Sequence, residues 1–223
     1  MQKKPSVSVI IPTISEQSVF KMVKDIRSQL GKETEIIIVD KSDDSYYRKL
    51  IKTGATVIRQ KDSGIENAIM TGLRSAHGTL LASIDADGTH ELEGIKRGIA
   101  MIGKKNADMI LGNRMAGLSE GSMNFYLQTG NNILTDIFNI AYGTHIHDVL
   151  TGLFVMKRSA FQDIKEVQPY RAGIAFFVVE LAKKGYKIDE IPIKYYPRKE
   201  GVSKIAKSKF AYGIGVASHI LFK

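Results

Sequence analysis

The sequence contains no cysteine, and this absence removes several classes of chemistry. Without cysteine there can be no disulfide framework, no zinc–thiolate site and no cysteine nucleophile, which suits a reducing compartment. A chain of 223 residues does not need such crosslinks. At this length a single hydrophobic core buries most of the surface that the unfolded chain exposes. We therefore expect a single stably folded domain.

Long hydrophobic runs are also missing, since no run approaches the roughly 20 apolar residues of a membrane-spanning helix. Residues 1–5 lack the apolar stretch of a secretory signal, so the expected location is cytoplasmic. The composition, with 43% hydrophobic and 25% charged residues, argues against intrinsic disorder. Charge is one-sided, however, and the formal net charge is +9. Such an excess favours an anionic partner: nucleic acid, a membrane surface or a phosphorylated ligand.

Short apolar, β-branched runs alternate with helical patterns along the chain. The predicted strands are 7–11, 36–39, 56–58, 80–84, 109–111 and 153–156, with an extended segment at 188–196. The predicted helices are 16–30, 63–76, 92–103, 124–142 and 175–184. This alternation indicates right-handed crossovers and a Rossmann-like, mostly parallel sheet with helices on both faces. The predicted fold class is doubly wound α/β.

No repeat, low-complexity tract or Pro/Gly/Ser-rich linker divides the chain, so we expect one domain over 1–202. An amphipathic or interfacial helix is predicted to follow over 203–223, with an apolar part too short to cross a bilayer. Cations cluster just before that part, at Arg198, Lys199, Lys204, Lys207 and Lys209. Because they adjoin an apolar stretch and no stacking aromatics interleave them, they favour phosphate and a membrane surface over nucleic acid. The alternative is a solvated basic tail.

Polar residues directly after buried strands mark where ligands bind in an open parallel sheet. Asp85 and Asp87, on either side of Ala86, follow the fourth predicted strand. Two carboxylates at a strand end can present oxygen ligands to Mg²⁺ or Mn²⁺, with a substrate diphosphate supplying more. The alternative is that they cap the helix beginning near Leu92. The strand-end position favours the metal interpretation.

Three other carboxylates allow two interpretations each. Asp40, after the second strand, can hold a base or ribose, or form an Asx-type turn with residues 42–45. Asp148 precedes a short strand and Glu180 lies on a predicted helix. Either can orient an acceptor or act as a base, and the alternative is a surface charge. Neither a G-x-G-x-x-G fingerprint nor a P-loop is present.

Seven motifs, taken in order, resemble the family 2 glycosyltransferases with a GT-A fold. They are V-S-V-I-I-P-T-I-S-E, I-I-I-V-D-K-S-D-D, G-I-E-N-A-I-M-T-G, D-A-D-G-T-H, L-G-N-R, D-V-L-T-G-L and P-R-K-E-G-V-S-K. The branch they resemble most is that of dolichyl-phosphate mannose synthases and polyprenyl-phosphate glycosyltransferases. The resemblance covers about residues 6–205. Thr89 stands where the family has Gln, and residues 128–132 lack a family arginine.

The resemblance implies roles for individual residues. The donor nucleotide sugar would be contacted by Pro12, Thr13, Glu16, Asp40, Asp85, Ala86, Asp87 and Ser203. Asp85 and Asp87 would hold Mg²⁺ or Mn²⁺. The residues expected to be catalytic are Asp87, Arg114, Arg198 and Lys204, and those on the acceptor side are Arg114, Asp148 and Glu180.

The function expected from this resemblance is inverting transfer of a hexose from GDP-mannose or a UDP-hexose to a polyprenyl or dolichyl phosphate. The protein would act as a peripheral protein at the inner face of the membrane. Two alternatives stay open. One is transfer to a saccharide hydroxyl, with Glu180 or Asp148 as base, and the other is a non-catalytic nucleotide-sugar-binding module recruited to a membrane.

Overall fold

The computed structural model describes residues 5–164, 172–198 and 209–222, and their side chains except those of 209 and 210. The strands are β1 Val7–Thr13, β2 Glu35–Asp40, β3 Thr56–Arg59, β4 Leu80–Ser83, β5 Met109–Asn113, β6 Phe154–Lys157 and β7 Ile188–Pro192. The helices are α1 Ser18–Leu30, α2 Asp44–Ile51, α3 Ile65–Ser75, α4 Glu93–Lys104, α5 Phe125–Tyr142, α6 Arg158–Gln162, α7 Ala175–Lys183 and α8 Lys209–Leu221.

The described strands form one seven-stranded sheet in the order β3-β2-β1-β4-β6-β5-β7. Neighbouring strands are parallel except around β6, which is antiparallel to both β4 and β5. From β1 the chain moves outward to β2 and β3 on one side, and then crosses to β4 on the other side of β1. The order therefore reverses between β1 and β4, and a crevice opens beyond the carboxyl ends of these strands.

Helices cover both faces of the sheet because the side chains of each strand alternate in direction. On β1, Val9 and Ile11 pack into a core with residues of α1, α2 and α4. Ile10, between them, packs into a second core with residues of α3, α5, α7 and α8. Strands that are apolar on both faces are typical of a buried, mostly parallel sheet. The prediction of a single α/β domain with helices on both faces is confirmed.

Two helices in the structure were not predicted from the sequence, α2 and α6. Helix α2 begins after Asp43, whose carboxylate accepts a hydrogen bond from the amide of Tyr46 at 2.9 Å. Only Tyr46 and Leu50 of this helix are buried. Two buried positions one turn apart are too few for a periodic pattern to indicate a helix. Most other predicted boundaries differ from the observed ones by at most two residues, but the extended segment predicted at 188–196 forms a strand only as far as Pro192.

The C-terminal helix α8 packs against α5 and α7. Val216, His219 and Ile220 are buried there, whereas Ile214 and Phe222 are exposed. Residues 203–208 of the predicted helix lie outside the described residues, so the division of the chain after residue 202 stays a prediction. Within the ranges that the structure describes, no helix is both long and apolar enough to cross a membrane.

Candidate donor site at the carboxyl edge of the sheet

The D-A-D loop follows β4 at the crevice between β1 and β4. Its backbone is tied to the start of α1, because Ser18 donates a hydrogen bond from its hydroxyl to the carbonyl of Ala86. Pro12 and Thr13 end the neighbouring strand β1, in register with Val39 and Asp40 of β2. Glu16 lies in the turn between β1 and α1. The sheet topology thus brings the first, second and fourth strand ends to one edge, as the sequence predicts.

Asp87 is the centre of a hydrogen-bond network in this crevice. Its Oδ1 accepts hydrogen bonds from the amide of Thr89 at 3.1 Å and from the hydroxyl of Thr89 at 2.7 Å. Its Oδ2 accepts from Nη2 of Arg198 at 2.7 Å. Both carboxylate oxygens are therefore oriented by donors from this chain. Thr89 is itself buried, so its bonds fix the orientation of the Asp87 carboxylate.

Arg198 bridges two strand ends. While its Nη2 contacts Asp87, its Nη1 donates to Oε1 of Glu16 at 3.1 Å. The side chains of all three residues are largely shielded, with Arg198 24% exposed, Glu16 13% and Asp87 11%. A guanidinium between two carboxylates offsets their mutual repulsion, because charges of opposite sign in a cleft stabilise one another. The bridge therefore places a positive charge against Asp87.

Asp85 lies in the same cleft, and 28% of its side chain is exposed. It packs against Gly152, where a Cβ atom on any larger residue would approach Oδ2 of Asp85 to 2.0 Å, so a larger residue would displace the Asp85 carboxylate. Burial and the adjacent charge of Asp87 raise the pKa of Asp85 to about 7, although Arg114 and Arg198 act in the opposite direction. The close approach explains the glycine of the D-V-L-T-G motif. It joins the loop before β6 to the D-A-D loop.

His90 is buried next to Asp85, with 3.8 Å between its Nδ1 and Oδ2 of Asp85. Burial lowers the pKa of His90 to about 4, and the positive charge of Arg114 acts in the same direction. Its ring packs edge-on against Tyr195 at 5.0 Å between ring centroids. His90 is therefore neutral at pH 7 and supports the cleft by packing. Among the described residues, its Nε2 has no hydrogen-bond partner.

Arg114 is held by Asp148 in a bidentate pair. Its Nε and Nη2 donate to the two carboxylate oxygens at 2.7 and 2.8 Å, and its amide donates to Oδ2 at 3.0 Å. The Asp148 side chain is fully buried. Burial alone would lower the pKa of Arg114, but the charge of Asp148 raises it. The guanidinium also lies 5.3 Å from the Tyr195 ring centroid. Arg114 is thus fixed beside the cleft.

Asp40 is buried at the end of β2. Its Oδ1 accepts hydrogen bonds from the amide and hydroxyl of Ser42 at 3.1 and 2.5 Å, and its Oδ2 lies 3.2 Å from Nη1 of Arg59. Arg59 ends the neighbouring strand β3 and stacks over the ring of Tyr47 at 4.0 Å. The Asx-type bonds that the sequence allows are present. The same cluster stands at the edge where a base or ribose is expected.

The structure does not bring every predicted site residue to this cleft. Glu180 lies on α7, 3.4 Å from Nζ of Lys183 and 3.3 Å from Nε2 of His219 on α8. These partners belong to the corner between helices α7 and α8, away from the Asp85 and Asp87 carboxylates. Ser203 and Lys204 lie outside the described residues.

Sequence reasoning missed Arg59, His90 and Tyr195, and it noted Thr89 only as a departure from the family's Gln. Arg59 could have been found, because it ends a strand as Asp40 does, and ligands bind beyond the carboxyl ends of parallel strands. Thr89 and His90 lie inside the quoted D-A-D-G-T-H motif, although the sequence gives no sign of which side chains they contact. Tyr195 follows β7, and no local pattern indicates that it meets His90.

Comparisons with known proteins agree with this fold. Residues 8–165 match the family described as glycosyl transferase family 2. Among curated relatives, the low-salt glycan biosynthesis hexosyltransferase Agl6 of Haloferax volcanii is 28% identical over 87% of this chain, which spans 48% of that protein. The dolichyl-phosphate hexose transferase of the same organism is 26% identical over 96% of this chain and 92% of its own length. The dolichol-phosphate mannosyltransferase of Pyrococcus furiosus is 28% identical over 92% of this chain and 61% of its own.

Among solved structures, glucosyl-3-phosphoglycerate synthase from Mycobacterium tuberculosis superposes with a TM-score of 0.69 at 14% identity. The match covers 97% of this chain and 79% of that chain, in a complex with Mn²⁺, UDP-glucose and phosphoglyceric acid. The likeness confirms the predicted GT-A fold. With a match that spans well over half of its residues, the chain belongs to glycosyl transferase family 2.

Proposed function

We propose that the protein transfers a hexose from a nucleotide-diphosphate sugar to a dolichyl or other polyprenyl phosphate, with inversion at the anomeric carbon. The observation that carries the proposal is the cleft in which Asp85 and Asp87 of one strand end face Glu16 of another, with Arg198 between Glu16 and Asp87. This arrangement offers ligands for a cation and a guanidinium for phosphate oxygens. The names of the Haloferax and Pyrococcus relatives support a lipid phosphate as acceptor.

A divalent cation, Mg²⁺ or Mn²⁺, fits the residues of this cleft. Asp85 and Asp87 supply hard oxygen ligands, although the described residues contain no group of three or more His, Cys, Asp or Glu side chains that could hold a metal. A cation held by two carboxylates would complete its coordination with water and the diphosphate of the donor. When bound, it stabilises the departing nucleoside diphosphate as a Lewis acid. The Mn²⁺ and UDP-glucose of the solved neighbour support this assignment.

The side chains of this protein contribute mainly by positioning the reactants. Arg198, at the mouth of the cleft, is suited to bind phosphate oxygens, and Arg114 adds a second positive charge from its fixed place beside Asp148. An acceptor phosphate is already ionised near pH 7, so no strong general base is needed. In-line alignment of acceptor and donor then supplies much of the rate.

The positions of Asp148 and Glu180 favour a phosphate acceptor over a saccharide hydroxyl, because a hydroxyl acceptor requires a base. Asp148 is fully buried and accepts three hydrogen bonds from Arg114. Glu180 pairs with Lys183 on its own helix and with His219 on α8. Neither carboxylate that the sequence offers as a base is free to take a proton from an acceptor in the cleft.

Contact with the membrane surface is the second part of the proposal. Along α5, Tyr126, Ile133 and Ile140 recur every seven residues and are 84%, 54% and 85% exposed. They form one apolar stripe, and Asp136 is the helix's one acidic or basic residue. Such a face, in a chain of net charge +9, suits peripheral binding to anionic lipid. Replacing all three side chains with Ser should reduce co-sedimentation with anionic liposomes at low salt, and unchanged binding would contradict this part.

The proposed reaction is tested by incubating the protein with labelled GDP-mannose or UDP-hexoses, Mg²⁺ or Mn²⁺, and a short polyprenyl phosphate. We expect one donor to label the lipid, and Asp87→Asn to lower the rate by about 100-fold or more, because the cation would lose a ligand. Asp25→Asn, which removes one charge from the surface of α1, is the matched control and should keep full activity. Nucleotide binding without transfer to any lipid phosphate would overturn the proposal in favour of a non-catalytic binding module.

A further inference from the structure

We infer that the Arg198 guanidinium and a divalent cation compete for Asp87, so that Arg198 neutralises the donor site until the cation and the nucleotide replace it together. The inference rests on the proposed function, because it assumes that a cation and a nucleotide diphosphate bind in this cleft. The inference adds a step before glycosyl transfer. When the donor binds, Asp87 exchanges Arg198 for the cation, and Arg198 exchanges Asp87 for the diphosphate.

The first support is the position of the guanidinium. Nη2 of Arg198 lies 2.7 Å from Oδ2 of Asp87, whereas Oδ1 of the same carboxylate is held by Thr89. A cation that approaches Asp87 would therefore meet Oδ2, where the positive charge of Arg198 already lies. Two cations at one carboxylate oxygen repel each other strongly in a shielded cleft. The guanidinium therefore disfavours cation binding at Oδ2, and its departure from Asp87 favours such binding.

The second support is the surplus of negative charge around Arg198. Glu16, Asp85 and Asp87 belong to the same cleft, and Arg198 contacts Glu16 and Asp87 directly. Without Arg198, less positive charge would offset the negative charge of these carboxylates. Carboxylates that share a site disfavour one another's charged forms. The guanidinium therefore stabilises the cleft when it contains no donor. It also makes the cleft a poorer site for a cation alone.

The third support is the contrast with Arg114. Asp148 engages the backbone amide, Nε and Nη2 of Arg114, and its side chain is fully buried. Arg198 instead divides its two terminal nitrogens between carboxylates on different loops, and it is 24% exposed. A guanidinium held in that way can turn toward a diphosphate, whose oxygens are equally good acceptors. Of the two arginines, Arg198 is the one that can exchange partners.

The exchange predicts a specific thermodynamic signature. Direct coordination of a metal by a diphosphate makes the two ligands bind cooperatively in any case, so cooperativity alone does not identify Arg198. The distinguishing quantity is the affinity for the cation without nucleotide. If Arg198 competes with the cation, its removal raises that affinity and lowers the affinity for nucleotide without metal. A residue that only maintains the fold of the cleft would lower both.

The test is titration of Mn²⁺ into the wild-type protein and Arg198→Gln, followed by electron paramagnetic resonance without nucleotide. We expect Arg198→Gln to bind Mn²⁺ about 3- to 10-fold more tightly, within the usual range of coupling between sites. Calorimetry without metal should show weaker binding of GDP or UDP by the same variant. Arg48→Gln removes an exposed charge from α2 and should match the wild type in both measurements.

Arg198→Lys keeps the positive charge and should retain an Mn²⁺ affinity close to that of the wild type. Equal or weaker Mn²⁺ binding by Arg198→Gln overturns the inference, as does tighter binding by Arg198→Lys or undetectable binding to the wild type and Arg198→Gln alike. These results do not depend on transfer. A protein that shows the competition but labels no lipid phosphate refutes the proposed function and leaves the competition standing.

Discussion

Two carboxylate–arginine pairs lie at the same edge of the sheet, and they differ in how firmly they are held. Asp148 and Arg114 form a bidentate pair whose carboxylate is fully buried, with a third hydrogen bond from the Arg114 amide. Asp87 and Arg198 meet at the partly open mouth of the cleft, and Arg198 also contacts Glu16. The first pair is part of the framework. The second pair is suited to exchange.

The comparison shows why residue type alone does not define a ligand site. Both arginines follow strands at the carboxyl edge, and the resemblance to family 2 glycosyltransferases implies a catalytic role for both. Only the three-dimensional partners reveal that one guanidinium is committed to a buried carboxylate. A buried ion pair is costly to break, because each partner becomes an uncompensated charge. The guanidinium of Arg198 is instead shared between Asp87 and Glu16 and is 24% exposed, so a ligand can replace Asp87 while Arg198 keeps a second partner.

The largest expected effect concerns the stability of the two pairs. Asp148→Ala should lower the free energy of unfolding by about 3–5 kcal/mol, because it leaves the Arg114 guanidinium without its buried partner. Asp87→Ala should lower it by about 1 kcal/mol or less, because Arg198 keeps Glu16 and access to water. Urea unfolding measures both values. Equal losses in the two variants would remove the distinction between a fixed and an exchangeable pair.

Much of the fold is predictable from the sequence because the buried strands leave a local signal. Apart from Ser8, the runs from Val7 to Ile11 and from Ile36 to Val39 are apolar on both faces, which is typical of central parallel strands. Once the strands are located, their carboxyl ends are known, and so are the residues at or after those ends, Asp40, Asp85 and Asp87. Helix α2 was not predicted because only two of its residues are buried. The antiparallel direction of β6 depends on long-range pairing that no local pattern encodes.

The partners of the site residues are less predictable than their positions. The D-A-D motif marks Asp87, but the motif does not say that Thr89 orients it or that Arg198, 111 residues away, contacts it. Glu180 looked like an acceptor-side carboxylate, and its partner His219 comes from the last helix of the chain. Such contacts are set by how distant segments pack, which the sequence alone does not display.

A smaller effect should follow from loosening the exchangeable pair without removing a charge. Thr89→Val keeps the shape of the side chain but removes the hydroxyl that donates to Oδ1 of Asp87 at 2.7 Å. We expect Mn²⁺ affinity in the presence of nucleotide to fall about 10-fold, as for other residues that orient metal ligands. Thr71→Val, which removes a hydroxyl bonded within α3, is the control. Unchanged affinity in Thr89→Val would mean that the orientation of Asp87 does not matter.

The smallest effect concerns Glu35, a carboxylate that begins β2 at the edge of the sheet opposite the candidate donor site. Burial alone would raise the pKa of Glu35, but hydrogen bonds from Ser8 and His77 lower it below its ordinary value of 4.5. A lowered carboxylate pKa contributes stability above about pH 4.5 that is lost as the pH falls. The stability difference between wild type and Glu35→Gln, about 1 kcal/mol or less at pH 7, should therefore shrink below that pH. A difference that grows in acid would reverse the sign assigned to this group.

The distinction between the two arginines can be observed directly by nitrogen-15 NMR of arginine side chains, with Arg198→Gln used to assign the Arg198 signal. Mg²⁺ is added with GDP and, in a separate sample, with UDP. In the sample whose nucleotide binds, we expect the Arg198 signals to shift as the guanidinium leaves Asp87, while those of Arg114 keep their position because its pair with Asp148 persists. The account would be contradicted if only the Arg114 signals shifted, or if the Arg198 signals stayed unchanged when nucleotide and Mg²⁺ bind.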